Sequence, residues 1–63
     1  MNLSERDLEV LSLIGEGYTN TEIADKLFLS KRTIEGYRQN LIDKLKAKNS
    51  AELIKFAVHN RLI

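Results

Sequence analysis

Helix beginnings are written into this chain at closely spaced points. The first N–H groups of a helix have no partner inside it. A Ser, Thr, Asp or Asn just before the helix accepts from one of them. An acidic or amide residue three positions on returns the bond, and apolar residues on either side close a hydrophobic staple. In "LSERDL" Ser4 is the cap, Asp7 stands at the third helical position, and Leu3 and Leu8 form the staple. In "YTNTEI" the same parts are Thr19, Glu22, and Tyr18 with Ile23; in "LSKRTI" they are Ser30 and Leu29 with Ile34. "NSAEL" opens a further helix capped by Asn49 or Ser50. A chain with so many starts has room only for short helices.

The apolar pattern agrees. Leu8, Leu11 and Ile14, with Val10 and Leu13 beside them, give one buried stripe, and Gly17 stands where a left-handed residue would end the first helix. The second helix buries Ile23, Ala24 and Leu27. The expected fold is all-α, a four-helix bundle with helices over about 5–16, 20–27, 31–45 and 50–60. The connection "FLS" allows only a tight turn between the second and third helices. A short helix, a tight turn and a longer basic helix make a helix-turn-helix candidate.

Composition bounds the rest. At 63 residues the chain is expected to form a single domain, 1–63, near the lower size at which a core alone holds a fold. The absence of Cys and Pro, with no long apolar run and no leader pattern, suits a short-turned helical protein of the cytoplasm. With one His, no Cys, no Gly-rich phosphate loop and no paired carboxylates, the chain is not expected to be an enzyme. No cofactor, metal or small-molecule ligand is expected either.

Charge is unevenly distributed, although the net value is only +1. Residues 1–29 carry Arg6 and Lys26 against Glu5, Asp7, Glu9, Glu16, Glu22 and Asp25, a balance of −4. Residues 30–48 carry Lys31, Arg32, Arg38, Lys44, Lys46 and Lys48 against Glu35 and Asp43, a balance of +4. A basic segment of this kind is the footprint of a face that meets a polyanion.

Gly36 sharpens the question of what that face does. It falls in the middle of the third helix, in "TIEGYRQN", where Gly costs ~1 kcal/mol relative to Ala. At 100° per residue from Ile34, the residues Tyr37, Leu41 and Leu45 lie within about 60° and form the core stripe, which Ile42 widens. Gln39, Arg32, Asp43 and Gly36 lie between roughly 140° and 200°, with Glu35 on the flank. Gly36 is therefore expected on the outward surface, where a missing side chain permits close approach of a partner. On the fourth helix Leu53, Ile54 and Ala57 suit the core, Val58 lies at its edge, and Phe56 falls roughly opposite Ile54. An aromatic on that side suits a second subunit, whereas His59 lies on the polar side.

The chain as a whole resembles the LuxR/GerE-type helix-turn-helix, the output domain of NarL/FixJ-like response regulators. The resemblance covers nearly all of "LSERDLEVLSLIGEGYTNTEIADKLFLSKRTIEGYRQNLIDKLKAKNSAELIKFAVHNRLI". It rests on Leu3, Glu5, Arg6 and Glu9; Val10 and Leu11; Gly17; Asn20, Glu22, Ile23 and Ala24; Leu27; Ser30; Thr33 and Ile34; Ile42; Lys44 and Leu45; and Leu62-Ile63. It implies a DNA-binding domain whose third helix enters the major groove of double-stranded DNA and whose fourth helix forms a homodimer. Base reading would then fall to Arg32, Glu35, Gly36 and Gln39. Phosphate contacts would fall to Lys31, Thr33, Arg38, Lys44, Lys46 and Lys48, and the dimer face to Phe56, Lys55 and His59. RNA polymerase is a further candidate partner.

Many relatives carry Lys at the position of Glu35 and His at that of Tyr37. A carboxylate at 35 accepts from a cytosine amino group, or pairs with Arg32 or Arg38 and orients it. Two competing classes stand beside this reading: a sigma-factor region-four domain, and a helical module that meets an acidic protein partner through its basic segment. The closing "AELIKFAVHNRLI" favours the regulator family over the former.

Overall fold

The computed structural model describes residues 3–62. It contains α1 (Glu5–Gly15), α2 (Asn20–Leu27), α3 (Lys31–Leu45) and α4 (Ser50–His59), and no strand among the described residues. Every helix start falls where the sequence places it, because each cap makes its bond. Ser4 Oγ accepts from the Asp7 N–H at 3.0 Å while the Asp7 carboxylate accepts from the Ser4 N–H at 3.0 Å. Thr19 and Glu22 exchange the same pair of bonds at 3.2 and 2.9 Å. Ser30 Oγ accepts from the Thr33 N–H at 3.1 Å. At the fourth start the cap is Asn49, which accepts from the Glu52 N–H at 2.9 Å, and Ser50 is the first helical residue. Loss of one such cap costs roughly 0.5–2 kcal/mol.

The ends are as regular as the starts. In each case an N–H five residues along the chain folds back onto a last-turn carbonyl: Tyr18 to Leu13 at 3.2 Å, Leu29 to Ala24 at 2.9 Å, Ala47 to Ile42 at 3.0 Å, and Leu62 to Ala57 at 2.8 Å. This closure needs a left-handed residue just before the donor. Those residues are Gly17, Phe28, Lys46 and Arg61, of which only the first is a glycine. Each donor is apolar and packs against the core, so the bond and the burial reinforce one another. The expected ends near Glu16 and Asn60 shift to Gly15 and His59, with those two residues as C-caps.

Val10, Leu11, Ile14, Ile23, Ala24, Ile34, Leu41, Leu53 and Ala57 form the buried core. Tyr37, Ile42, Leu45 and Ile54 pack around it partly exposed. Burying a Leu or Ile side chain is worth roughly 1.5–3 kcal/mol, so α3 is held chiefly by Ile34 and Leu41. One expected core residue falls outside the cluster altogether. Leu8 is only half-buried and lies outside the core cluster, because the adjacent Asp7 turns inward to complete its cap and to meet a lysine of α3. Leu27 is likewise half-buried, and Val58 is 59% exposed.

Phe28 combines two unfavourable features. It adopts φ 57 and ψ 41, a left-handed conformation that disfavours L-residues by roughly 1–2 kcal/mol, and its surface is 94% exposed. Phe28→Gly is therefore expected to stabilise the fold by up to ~1 kcal/mol. Chemical denaturation reads this as a rise in the unfolding midpoint. A fall would show that the phenyl ring contributes packing.

Candidate nucleic-acid interface

The outward strip of α3 follows directly from its amphipathic pattern. With Ile34 and Leu41 buried, Arg32, Glu35, Gly36, Gln39 and Asp43 are all exposed. Among the described residues, and apart from its chain neighbours and the adjacent backbone of its own helix, nothing lies within 4 Å of where a Gly36 Cβ would stand. Packing of the domain on itself thus gives no reason for glycine at this position. Beside it, the Gln39 side-chain amide donates to Asp43 Oδ1 at 3.1 Å, one helical turn on, which holds the amide in one orientation. Thr33 faces out with its hydroxyl 2.8 Å from that of Ser30.

The first turn of α3 departs from its neighbours. α1, α2 and α4 each carry a carboxylate there, as the positive end of a helix favours, whereas α3 carries none and has Lys31 and Arg32 instead. Both cations are exposed. Beyond the C-terminal end, Lys46 and Lys48 are exposed as well. Cations therefore bracket the polar strip at both ends.

Arg38 and Lys44 are disposed differently from what the sequence leads one to expect. Arg38 is half-buried, and its guanidinium donates from Nε to Ser50 Oγ at 2.8 Å and from a terminal nitrogen to Asn20 Oδ1. One fork thus reaches the first residue of α2 and the first residue of α4. Lys44 Nζ lies 3.1 Å from Asp7 Oδ2, joining α3 to the capping box of α1. Arg38 is thereby engaged inside the fold, whereas Lys44 pairs with Asp7 from an exposed position, its side chain 46% accessible. The physical reason is angular: measured from Ile34, Arg38 falls at about 40° and Lys44 at about −80°, on the margins of the core stripe. Glu35, one candidate partner of Arg38, is exposed and does not share in that fork. Asn20 and Ser50 are the residues of this network that sequence reasoning did not connect. Their position at helix starts and the wheel position of Arg38 were the available signals.

Asp7 is the one buried charged residue among those described. Burial raises its carboxyl pKa, but the Ser4 N–H, the Lys44 ammonium and the Ser4 hydroxyl outweigh that and leave it lowered. On α4, Lys55 and His59 are exposed, and Phe56 is half-buried outside the core cluster. An open groove between α1 and α2, lined by Glu9, Ser12, Leu13, Lys26 and Leu27, contains none of the candidate residues. Among the described residues no group of three His, Cys, Asp or Glu side chains is placed to hold a metal ion, and no helix is long and apolar enough to cross a membrane.

A capped short helix, a two-residue turn and a longer helix with an exposed polar strip between cations define a helix-turn-helix DNA-binding domain. Comparison with known proteins agrees: the family described as bacterial regulatory proteins, luxR family, matches residues 1–57. The chain belongs to that family and is a DNA-binding domain of the transcription-regulator class. It is 44% identical over 61 residues to the oxygen regulatory protein NreC of Staphylococcus carnosus, covering 97% of this chain and 28% of that protein. NreC of Staphylococcus aureus is similar to the same extent. The chain thus spans little more than a quarter of the length of these relatives.

The Asp7–Lys44 pair gives a pH signature. A lowered carboxyl contributes stability above the ordinary Asp range, and this is lost as pH falls through the native value. Asp7→Asn is expected to cost about 1–3 kcal/mol at pH 7, since it weakens a buried charge-assisted network. Its deficit relative to wild type should shrink as pH falls below the ordinary Asp range and through the lowered native value, where the native carboxylate becomes protonated. Denaturation midpoints measured across that range test this; a deficit independent of pH would refute it.

Proposed function

We propose that this domain binds double-stranded DNA sequence-specifically, with α3 in the major groove, as the output domain of a bacterial transcriptional regulator. The observation that carries the reading is the exposed strip of Arg32, Glu35, Gly36 and Gln39, open at Gly36 and bracketed by Lys31 and Arg32 at one end and Lys46 and Lys48 at the other. A helix of 15 residues is ~22 Å long. The B-DNA major groove is about 12 Å wide, so such a helix reaches from one phosphate ridge to the other. Cations at its ends then meet phosphates and supply affinity, while the strip between them meets base edges. The carboxylate-free first turn supports this, because cations disfavoured at a free helix start are stabilised by a nearby polyanion.

Within the strip each residue has a chemical role. The Gln39 amide, oriented by Asp43, donates and accepts in the pattern of an adenine edge. The Glu35 carboxylate accepts from a cytosine amino group, and Arg32 donates to guanine. Gly36 lets the backbone approach a base pair or a thymine methyl. Lys31, Thr33, Lys46 and Lys48 hold phosphates. The α4 surface bearing Lys55, Phe56 and His59 forms the two-fold contact between subunits on paired half-sites. Because the relatives are named as oxygen regulatory proteins and are much longer, we read the chain as one part of a two-component response regulator. In that protein a separate region would receive the signal, and RNA polymerase is the downstream partner.

In vitro selection of duplexes tests the reading, giving base preference and half-site spacing together. Binding to no duplex even at low salt would overturn it. Gly36→Leu is expected to keep the fold, since the space there is open, and to weaken the selected duplex by about 10- to 100-fold, the loss that one or two base contacts represent. Unchanged affinity in the same buffer would rule out close approach at Gly36. Lys46→Ala should weaken all duplexes alike and reduce the slope of log affinity against log salt by about 1. A loss confined to one sequence would contradict its phosphate role.

A further inference from the structure

We infer that Arg38 is a positioning residue for DNA recognition, whose guanidinium fork fixes the orientation of α3 against α2 and α4. The inference rests on the DNA-binding reading above and adds to it a residue that touches no DNA. Arg38 lies near the middle of α3, and its fork bonds Asn20, which follows the α2 cap, and Ser50, which follows the α4 cap. Each acceptor is the first residue of its helix, so holding it fixes where that helix begins relative to α3. The two bonds diverge from one rigid plane, which constrains angle as well as distance.

The neighbouring contacts show why the angle matters. The apolar core holds α3 by side chains that permit small rotations about its axis, whereas hydrogen bonds in fixed directions do not. The outward strip reads base edges only if Glu35 and Gln39 arrive within hydrogen-bond reach together. Phosphate attraction from Lys31, Arg32, Lys46 and Lys48 acts over several ångströms and tolerates a few degrees of rotation. Loosening the fork should therefore lower specific binding and leave non-specific binding almost unchanged. Lysine cannot replace arginine here, because it retains the charge but loses the planar pair of donors.

The test compares wild type, Arg38→Lys, Arg38→Met, Asn20→Ala and the Arg38→Lys/Asn20→Ala double variant. Binding to the selected duplex and to a random duplex is measured over a salt series. The folded fraction at the assay temperature is followed by circular dichroism. We expect Arg38→Lys and Asn20→Ala each to bind the selected duplex about tenfold more weakly, with random-duplex affinity and salt slope unchanged. The double variant should be little worse than either single one, as expected for two ends of one interaction. Retention of selected-duplex affinity by Arg38→Lys overturns the inference. So does a salt slope reduced by about 1 in Arg38→Met, which would make Arg38 a phosphate ligand. Equal losses on both duplexes that track the folded fraction would make its role purely structural and also overturn it. If wild type fails to distinguish the two duplexes, the DNA-reading assignment itself falls. Asn20→Ala keeps the test decisive should the Arg38 variants not fold.

Discussion

The backbone bond from Leu29 to the Ala24 carbonyl constrains more of this molecule than any other single contact. It ends α2, and the same residue stands directly before Ser30, whose hydroxyl starts α3. Only Phe28 and Leu29 separate the last residue of α2 from the Ser30 cap, so the chain must reverse within two residues. Tyr18 serves the same double purpose between α1 and α2: its N–H closes one helix, and it stands directly before Thr19, whose hydroxyl starts the next. With so few fully buried side chains, the directions of the helices cannot be left to the core alone. They are set by the way each end passes into the next beginning.

That economy explains why the boundaries were so legible. Capping is local chemistry within four residues, so Ser4, Thr19 and Ser30 could be read directly from sequence, and so could α3 from Lys31 to Leu45. The ends were less legible because glycine marks only one of them. Phe28, Lys46 and Arg61 adopt left-handed conformations imposed by the closing bond and by burial of the apolar residue that follows. No side-chain preference announces this. Leu8 illustrates a different limit. Its periodicity matched a buried stripe, but the inward turn of Asp7 depends on Lys44, which lies far along the chain.

The candidate site divides along the same line. The outward position of Glu35, Gly36 and Gln39 follows from helix geometry and needed no tertiary information. The fates of Arg38 and Lys44 did need it, because a cation at the margin of a core stripe faces either a solvent-borne anion or a protein acceptor. Which one it meets depends on where Asn20, Ser50 and Asp7 are brought by the rest of the fold. Arg38, half-buried and bonded to Asn20 and Ser50, is the one cation of the basic segment drawn into the fold. The cations at the surface of α3 and just beyond it, Lys31, Arg32, Lys44, Lys46 and Lys48, lie toward its two ends, which is a more selective arrangement than a uniform basic face.

Stability and recognition pull in opposite directions on α3, and the structure shows how the conflict is resolved. On its inner side, Ile34 and Leu41 are buried without exposed surface, and two cations tie it to each of the other helices. On its outer side it keeps a glycine where alanine would make a better helix, and cations in a first turn where carboxylates would. These outer choices each weaken an isolated helix by an amount on the order of 1 kcal/mol or less. They are tolerable only because the inner contacts hold the helix regardless of them. A reading surface can therefore vary residue by residue to suit a DNA sequence, provided that the residues anchoring α3 from behind stay fixed. Arg38 belongs to that anchoring set, although its charge alone would have assigned it to the surface, and Lys44 contributes to it through Asp7 from an exposed position.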